Sequence, residues 1–180
     1  MDPQLDYPLS SESIVVEVGG WRGEWATKIA ELYDPWILIF EPIHEYYEAC
    51  LKRFENNSKV AVVHEGLGSA DSKGVISKME QASSLFLTSS MMESVEIDDA
   101  AFALPPVVDL LSLNCEGAEF RILPRLIETG RVRDVVNVQI QFHKLYMDAD
   151  THRDLIREKL ALTHSESWCV PWGWESWRRR

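Results

Sequence analysis

Three short segments of the chain combine glycine with polar side chains in a pattern suited to a small ligand. The first is the run Glu17-Val-Gly-Gly-Trp-Arg-Gly23, between a β-branched segment and a helical one. Glycines at a strand-to-helix turn let the backbone approach a ligand, and a helix start offers unpaired N–H groups. The spacing is neither the dinucleotide fingerprint nor a phosphate loop. An acidic side chain at the strand end suits a ligand with an amino group, although an ordinary tight turn explains the segment equally well.

The other two segments place polar side chains after further apolar runs. Glu41 follows the run 36–40, where doubly wound folds use an acidic side chain to accept hydrogen bonds from two ribose hydroxyls. A carboxylate that simply begins a helix is the alternative. Asn114 and Glu116 follow the run 107–113. Together the segments predict a nucleoside ligand that needs no phosphate-binding loop, such as S-adenosylmethionine. Its amino acid end would lie at the first turn and its ribose at Glu41. Glu119 is predicted to interact with a helix dipole only.

These segments need a scaffold that brings them to one edge, and the hydropathy pattern predicts it. The first 64 residues read as strand, helix, strand, helix, strand, which indicates a parallel sheet with helices on both faces. Residues 1–12 are predicted to be a loose arm or a short capping element, and residues 13–180 a single α/β domain. Further strands are predicted over 74–79, 107–113 and 135–142, and a polar loop over 81–94. Helices are predicted over 95–103, over 118–128, where Gly130 ends the helix, and over 151–160, where Asp150 or Thr151 caps it. An antiparallel hairpin is predicted over 162–177.

Composition and charge restrict the class of protein and of partner. Of 180 residues, 46% are hydrophobic and 26% charged, as in globular proteins. The 18 basic and 29 acidic residues give a net charge of -11, so no nucleic-acid partner is expected. The three cysteines form no CxxC pair and no metal site is predicted. Neither a signal peptide nor a membrane-length apolar run is visible, so the expectation is a cytoplasmic protein with no membrane partner.

The order of these segments resembles that of the FkbM-type methyltransferases. The resemblance covers roughly residues 13–145, and Glu116-Gly-Ala-Glu119 is its most specific part. The chain differs from the family pattern at the first turn, and at Ser112 and Asn114, where the family usually has lysine and aspartate. The segments that carry the resemblance are Glu17–Gly23, Phe40-Glu-Pro42, Gly66-Leu-Gly68 with Gly74, Asn114–Glu119 and Gln139-Ile-Gln-Phe-His143.

The resemblance implies a class I enzyme that transfers a methyl group from S-adenosylmethionine to a hydroxyl of a small molecule or sugar. It implies a doubly wound, mostly parallel seven-stranded Rossmann-like sheet with an antiparallel carboxyl-terminal hairpin. A Ser83-Ser84 pair resembles a family element near the cofactor, with a plain polar loop as the alternative. The adenine ring of the cofactor would be recognised near His64 and Glu65. The cofactor-binding residues would be Glu17, Gly19, Gly20, Trp21, Gly23, Glu41, Pro42, Glu65, Gly66 and Asn114.

Two residues are candidates for catalysis. His143 follows the last core strand and is the candidate general base, because histidine ordinarily titrates near neutrality. Glu116 is the candidate for orienting the acceptor hydroxyl. The alternative for His143 is a histidine that is merely hydrogen-bonded at a strand end. The four tryptophans of 168–177 are expected to pack in the core, and the alternative is that they stack on a sugar or a flat substrate.

Two other functions stay open at this level. One is a cofactor-binding module of the same fold that has lost turnover, indicated by Ser112 and Asn114. The other is a nucleotide-dependent oxidoreductase, which the missing pyrophosphate fingerprint disfavours. The chain has little room for an insertion that caps the substrate, so the pocket is expected to be open or completed by a second copy in a homo-oligomer.

Overall fold

The amino-terminal part of the chain folds as the predicted alternation of strands and helices. The computed structural model describes residues 2–77 and 92–180. Both faces of the first two strands are largely buried, as is typical of parallel strands that helices cover. The elements are β1 (Ile14–Val18), α1 (Glu24–Tyr33), β2 (Trp36–Phe40), α2 (His44–Arg53) and β3 (Val60–Val63).

The middle of the chain forms a second, small sheet. Its elements are β4 (Gly66–Gly68), β5 (Ser72–Ser77) and β6 (Met92–Asp99), in the order β4-β6-β5, followed by the short helix α3 (Ala100–Ala103). The helix predicted over 95–103 is wrong for 95–99, which belong to β6. Val95 and Ile97 are buried while Glu96 between them is exposed, and this alternation is the signature of a strand. Ser83 and Ser84 lie outside the described residues.

The last part of the chain completes the large sheet. Gly130 adopts φ +78° just after α4, so the predicted left-handed helix end is confirmed. Helix α5 begins earlier than predicted: Asp148 stands at its N-cap, without a side-chain capping bond, and Asp150 and Thr151 lie inside it. The elements are β7 (Val108–Leu113), α4 (Glu119–Glu128), a short 3-10 turn (Arg131–Asp134), β8 (Val135–Gln141), α5 (Ala149–Leu160), β9 (His164–Cys169) and β10 (Trp174–Arg179).

Within the described residues, the large sheet has seven strands in the order β3-β2-β1-β7-β8-β10-β9. The first five are parallel, and β10 is antiparallel to both β8 and β9. The predicted doubly wound sheet with an antiparallel terminal hairpin is therefore confirmed. The chain runs outward from β1 to β3 and then crosses to β7 on the other side of β1. The strand order reverses between β1 and β7, and the loops after these strands diverge to leave a crevice.

Different elements cover the two faces of this sheet. Helices α4 and α5 pack on one face, and α1 packs on the other together with the amino-terminal arm. The amino-terminal arm is docked on the sheet: the Tyr7 hydroxyl donates to Gln139 Oε1 at 2.9 Å and lies 3.1 Å from Ser176 Oγ. Among the described residues, none of the helices combines the length and the apolar character that crossing a bilayer requires.

Candidate functional site

A cavity of about 350 Å³ lies at the carboxyl ends of β1, β2 and β7. This is the crevice where open α/β sheets bind ligands, and the volume is in the range of small-molecule sites. The carboxylate and amide side chains of the wall come from the loops that follow β2 and β7, and the rest of the wall is mainly apolar. The lining residues are Val18, Gly19, Trp21, Glu41, Pro42, Ile43, Tyr46, Gly66, Leu67, Ile76, Ile97, Asn114, Cys115, Glu116 and Ala118.

The small sheet forms one wall of this cavity. Ile76 of β5 and Ile97 of β6 line it, and both pack in a cluster with Ile43 and Tyr46 beside α2. None of these four residues was among the predicted site residues. The alternation in 92–99 was a usable signal for the strand, but nothing local indicated that the strand would face the crevice.

The glycines of the first turn are needed for packing within the chain. Gly19 has φ +88°, and a Cβ there would lie 2.0 Å from the backbone oxygen of Asn114. A Cβ at Gly20 would lie 2.3 Å from Ile39 Cγ2, and one at Gly23 would lie 2.7 Å from the Phe54 ring. Gly19 borders the cavity, whereas Gly20 and Gly23 lie outside its described wall. The glycine pattern thus lets the turns after β1 and β7 meet closely.

Glu17 lies beneath the first turn, away from the described cavity wall. Its side chain is buried, and Oε2 has no hydrogen-bond partner among the described residues. Burial raises the pKa of Glu17 well above its ordinary value, and the nearby charge of Glu41 adds to the effect. The raised pKa favours the protonated, uncharged form of this carboxyl group. The geometry therefore does not support the predicted contact between a charged Glu17 and an amino group of the ligand.

Glu41 is held rigidly in the wall at the end of β2. Its Oε2 accepts from the backbone N–H of Trp21 at 2.8 Å, and its Oε1 accepts from that of Ile43 at 2.9 Å. Burial raises the pKa of Glu41 to about 7, although these two bonds lower it and Glu93 adds to the rise. Each carboxylate oxygen has a further lone pair. Glu41 can therefore accept two more hydrogen bonds, as a pair of neighbouring hydroxyls requires.

Trp21 has an unusual backbone conformation for a large residue. Its φ is +45°, which is costly for a non-glycine residue and is found most often where the surroundings enforce it. The bond from its N–H to Glu41 contributes to that enforcement. Its ring meets Tyr46 edge-on with centroids 6.4 Å apart, so two aromatic side chains border the cavity beside Glu41.

The residues after β3 divide between the cavity and the surface. Gly66 lines the cavity next to Pro42, and the cofactor contact implied for both residues stays a prediction. Glu65 lies outside the described wall, where a hydrogen bond to Asp98 raises its pKa. His64 stacks on Tyr47 with ring centroids 4.5 Å apart. The adenine-reading role of His64 and Glu65 therefore stays a prediction without a contact that supports it.

Glu116, His143 and Glu119 meet where the loops after β7 and β8 converge. Nε2 of His143 lies 3.3 Å from Glu116 Oε1, and Nδ1 lies 3.1 Å from Glu119 Oε1. Burial by itself lowers the pKa of His143, but the hydrogen bonds to both glutamates and their charges outweigh it and raise the pKa to about 9. The ring is protonated at neutral pH, so this geometry does not support the predicted role of His143 as general base.

Across residues 2–77 and 92–180, no three histidine, cysteine, aspartate or glutamate side chains are grouped as an ion would require.

The sequence matches no family model and no curated protein, whereas the fold has clear neighbours among solved structures. Methyltransferase FkbM from Methylobacillus flagellatus is similar with a TM-score of 0.65 at 12% identity, over 94% of this chain and 44% of that one. A dimethyladenosine transferase from Plasmodium falciparum has a TM-score of 0.57 at 13% identity, over 96% and 57% of the two chains. An rRNA methylase from Streptococcus thermophilus has a TM-score of 0.53 at 10% identity, over 95% of this chain and 89% of that one.

These likenesses establish the fold. The chain is built on the Rossmann-like sheet that these methyltransferases share, and it spans less than half the length of the first of them. At such identities the choice of substrate depends on the site itself.

Proposed function

We propose that this protein is a methyltransferase that binds S-adenosylmethionine in the cavity at the switch point between β1 and β7. The observation that carries the proposal is Glu41, a buried carboxylate anchored by two backbone N–H groups and facing a small-molecule-sized cavity. Its free lone pairs suit the two ribose hydroxyls, and the apolar wall suits a flat base. No lysine or arginine belongs to the described wall, which suits a ligand without phosphate.

Bound S-adenosylmethionine would supply an activated methyl group on a positively charged sulfur. Glu41 would hold the ribose, and Trp21 and Tyr46 would exclude water from that end of the cavity. Glu116, on the wall near the loop after β8, would accept a hydrogen bond from the acceptor hydroxyl, orient its oxygen and take up its proton as the methyl group is transferred. His143, held as an imidazolium, would fix the Glu116 carboxylate. Such positioning supplies much of the rate of a transfer from an already activated donor.

We further propose that the acceptor is a hydroxyl of a small molecule. The net charge of -11 and the carboxylates of the wall favour a neutral or cationic acceptor over a polyanion. The similar solved structures are mostly RNA or rRNA methylases, so RNA is the competing class. A panel of hydroxylated metabolites and a ribosomal RNA fragment, each with labelled cofactor, distinguishes the two. Whether two copies complete the acceptor site stays a prediction.

Calorimetry with S-adenosylmethionine and S-adenosylhomocysteine tests the proposed cofactor. Glu41→Ala should weaken both by about 10- to 100-fold, since hydrogen bonds to a charged group are lost. Glu48→Ala, an exposed position on the same helix-loop unit, is the matched control and should bind as the wild type does. If the wild type binds NAD and neither of these ligands, the proposal is replaced by an oxidoreductase. Tight binding without any product from the panel would favour a binding module.

A further inference from the structure

We propose that Glu119 is the positioning residue of the acceptor side, a role that rests on the proposed function. It ties the turn after β7 to the segment after β8, so that Glu116 presents its carboxylate to the cavity. The sequence pattern predicted only a helix-dipole interaction for Glu119, and no contact with the residues that follow β8.

The contacts of Glu119 join two parts of the chain. Oε2 accepts from the backbone N–H of Gly117 at 2.8 Å and lies 3.6 Å from Sγ of Cys115. Oε1 accepts from the backbone N–H of His143 at 2.8 Å and lies 3.1 Å from Nδ1 of the same residue. The side chain is 0% exposed. Both oxygens are therefore occupied by donors of the protein, which leaves Glu119 a supporting role and not a direct contact with substrate.

The first consequence concerns the backbone of Glu116. This residue has φ +49° and Gly117 has φ +105°, so two successive residues lie in the left-handed region. A non-glycine residue stays in that region only when its surroundings hold it there. The hydrogen bond from the Gly117 N–H to the Glu119 carboxylate holds the backbone immediately after the strained residue Glu116. The resulting turn places Glu116 on the cavity wall and its carboxylate next to His143.

The second consequence concerns the charge of His143. Glu119 and Glu116 face the two ring nitrogens from different elements, and together they outweigh the effect of burial on the His143 pKa. Tyr146 also lies near Glu119, and burial followed by this charge raises its pKa. The adjacent Lys144 is paired with Asp150 at 2.5 Å on the surface. The imidazolium therefore depends on the two glutamates.

Nuclear magnetic resonance of the labelled imidazole tests this role without any methyl transfer. The wild-type His143 signal, assigned through its loss in His143→Asn, should titrate near pH 9, as the pKa of about 9 indicates. Glu119→Gln should lower the midpoint by at least about one unit, because one of the two opposing charges is gone. Glu128→Gln removes the same charge from an exposed position of the same helix and should leave the midpoint unchanged.

Two outcomes of the imidazole titration would overturn the positioning role. One is a His143 titration midpoint that is unchanged in folded Glu119→Gln. The other is a His143 midpoint near 6.5 in the wild type, a measurement that does not depend on whether any variant folds. Once an acceptor is known, Glu119→Gln should lower kcat by about 10- to 100-fold and shift the pH-rate profile, with cofactor affinity unchanged. An unaltered kcat and profile would also overturn it. A wild type that binds no cofactor would instead overturn the proposed function. The imidazole titration would still test the contact between Glu119 and His143.

Discussion

At the scale of single residues, Gly19 is a motif glycine that is required for packing within the chain itself. Gly19→Ala should cost at least about 2 kcal/mol of folding stability, because the new Cβ would lie 2.0 Å from the Asn114 oxygen at a φ of +88°. Gly66→Ala is the control: its Cβ would meet Pro42 at 3.6 Å, and its stability should stay within about 1 kcal/mol of the wild type. Urea unfolding of both variants measures the difference, and equal stabilities would contradict the packing role.

Glu17 supports a second prediction at the same scale. Its pKa is raised in the folded state by burial, so the native protein holds a proton that the unfolded chain releases near its ordinary pKa. Stability is therefore lost as the pH rises above that ordinary value. Glu17→Gln cannot ionise, so it should be more stable than the wild type at pH 8 and similar at pH 4. Denaturant unfolding at the two pH values measures this; a variant whose difference from the wild type is the same at both would rule it out.

At the scale of elements, the amino-terminal arm is attached to the sheet by a buried polar contact. Tyr7→Phe removes the hydroxyl that donates to Gln139, and the buried Gln139 oxygen then loses its partner, which costs about 1–3 kcal/mol. Tyr47→Phe, at a ring that stacks on His64, is the control and should change stability by less than about 0.5 kcal/mol. Both variants should bind the cofactor alike, because the arm contacts the sheet away from the described cavity wall. Tyr7→Phe with wild-type stability would show that the arm is not fastened in this way.

At the scale of the whole molecule, several buried groups give stability the same dependence on pH. Glu41 has a pKa of about 7 and His143 of about 9, both above their ordinary values, so each contributes stability at low pH that is lost as the pH rises through its folded pKa. For Glu41 alone the loss between pH 4 and 8 is about 3 kcal/mol. Burial lowers the pKa of His164, so that residue opposes folding at acid pH. Urea unfolding should show maximal stability near pH 5–6, and stability that increases from pH 6 to 9 would contradict this account.

The sequence by itself determined the alternating strands and helices and the edge at which a ligand would bind. Glu41, Asn114 and Glu116 all lie on the described cavity wall, because the ends of parallel strands meet at one edge and a residue that directly follows a strand is placed there by local pattern alone. Gly130 was predictable for the same kind of reason, since a left-handed helix end is a local requirement.

Only the tertiary structure decided what depends on contacts between distant parts of the chain. The charge of His143 depends on Glu119, 24 residues away in sequence, and no property of histidine itself indicates that two carboxylates will face its ring. Glu17 is one residue from the cavity wall, yet its side chain is buried beneath the turn, where desolvation governs its ionisation. The sheet of β4, β5 and β6 forms a wall because Ile76 and Ile97 meet α2 in space. Burial and electrostatic fields sum over neighbours in three dimensions, and a one-dimensional pattern does not contain those neighbours.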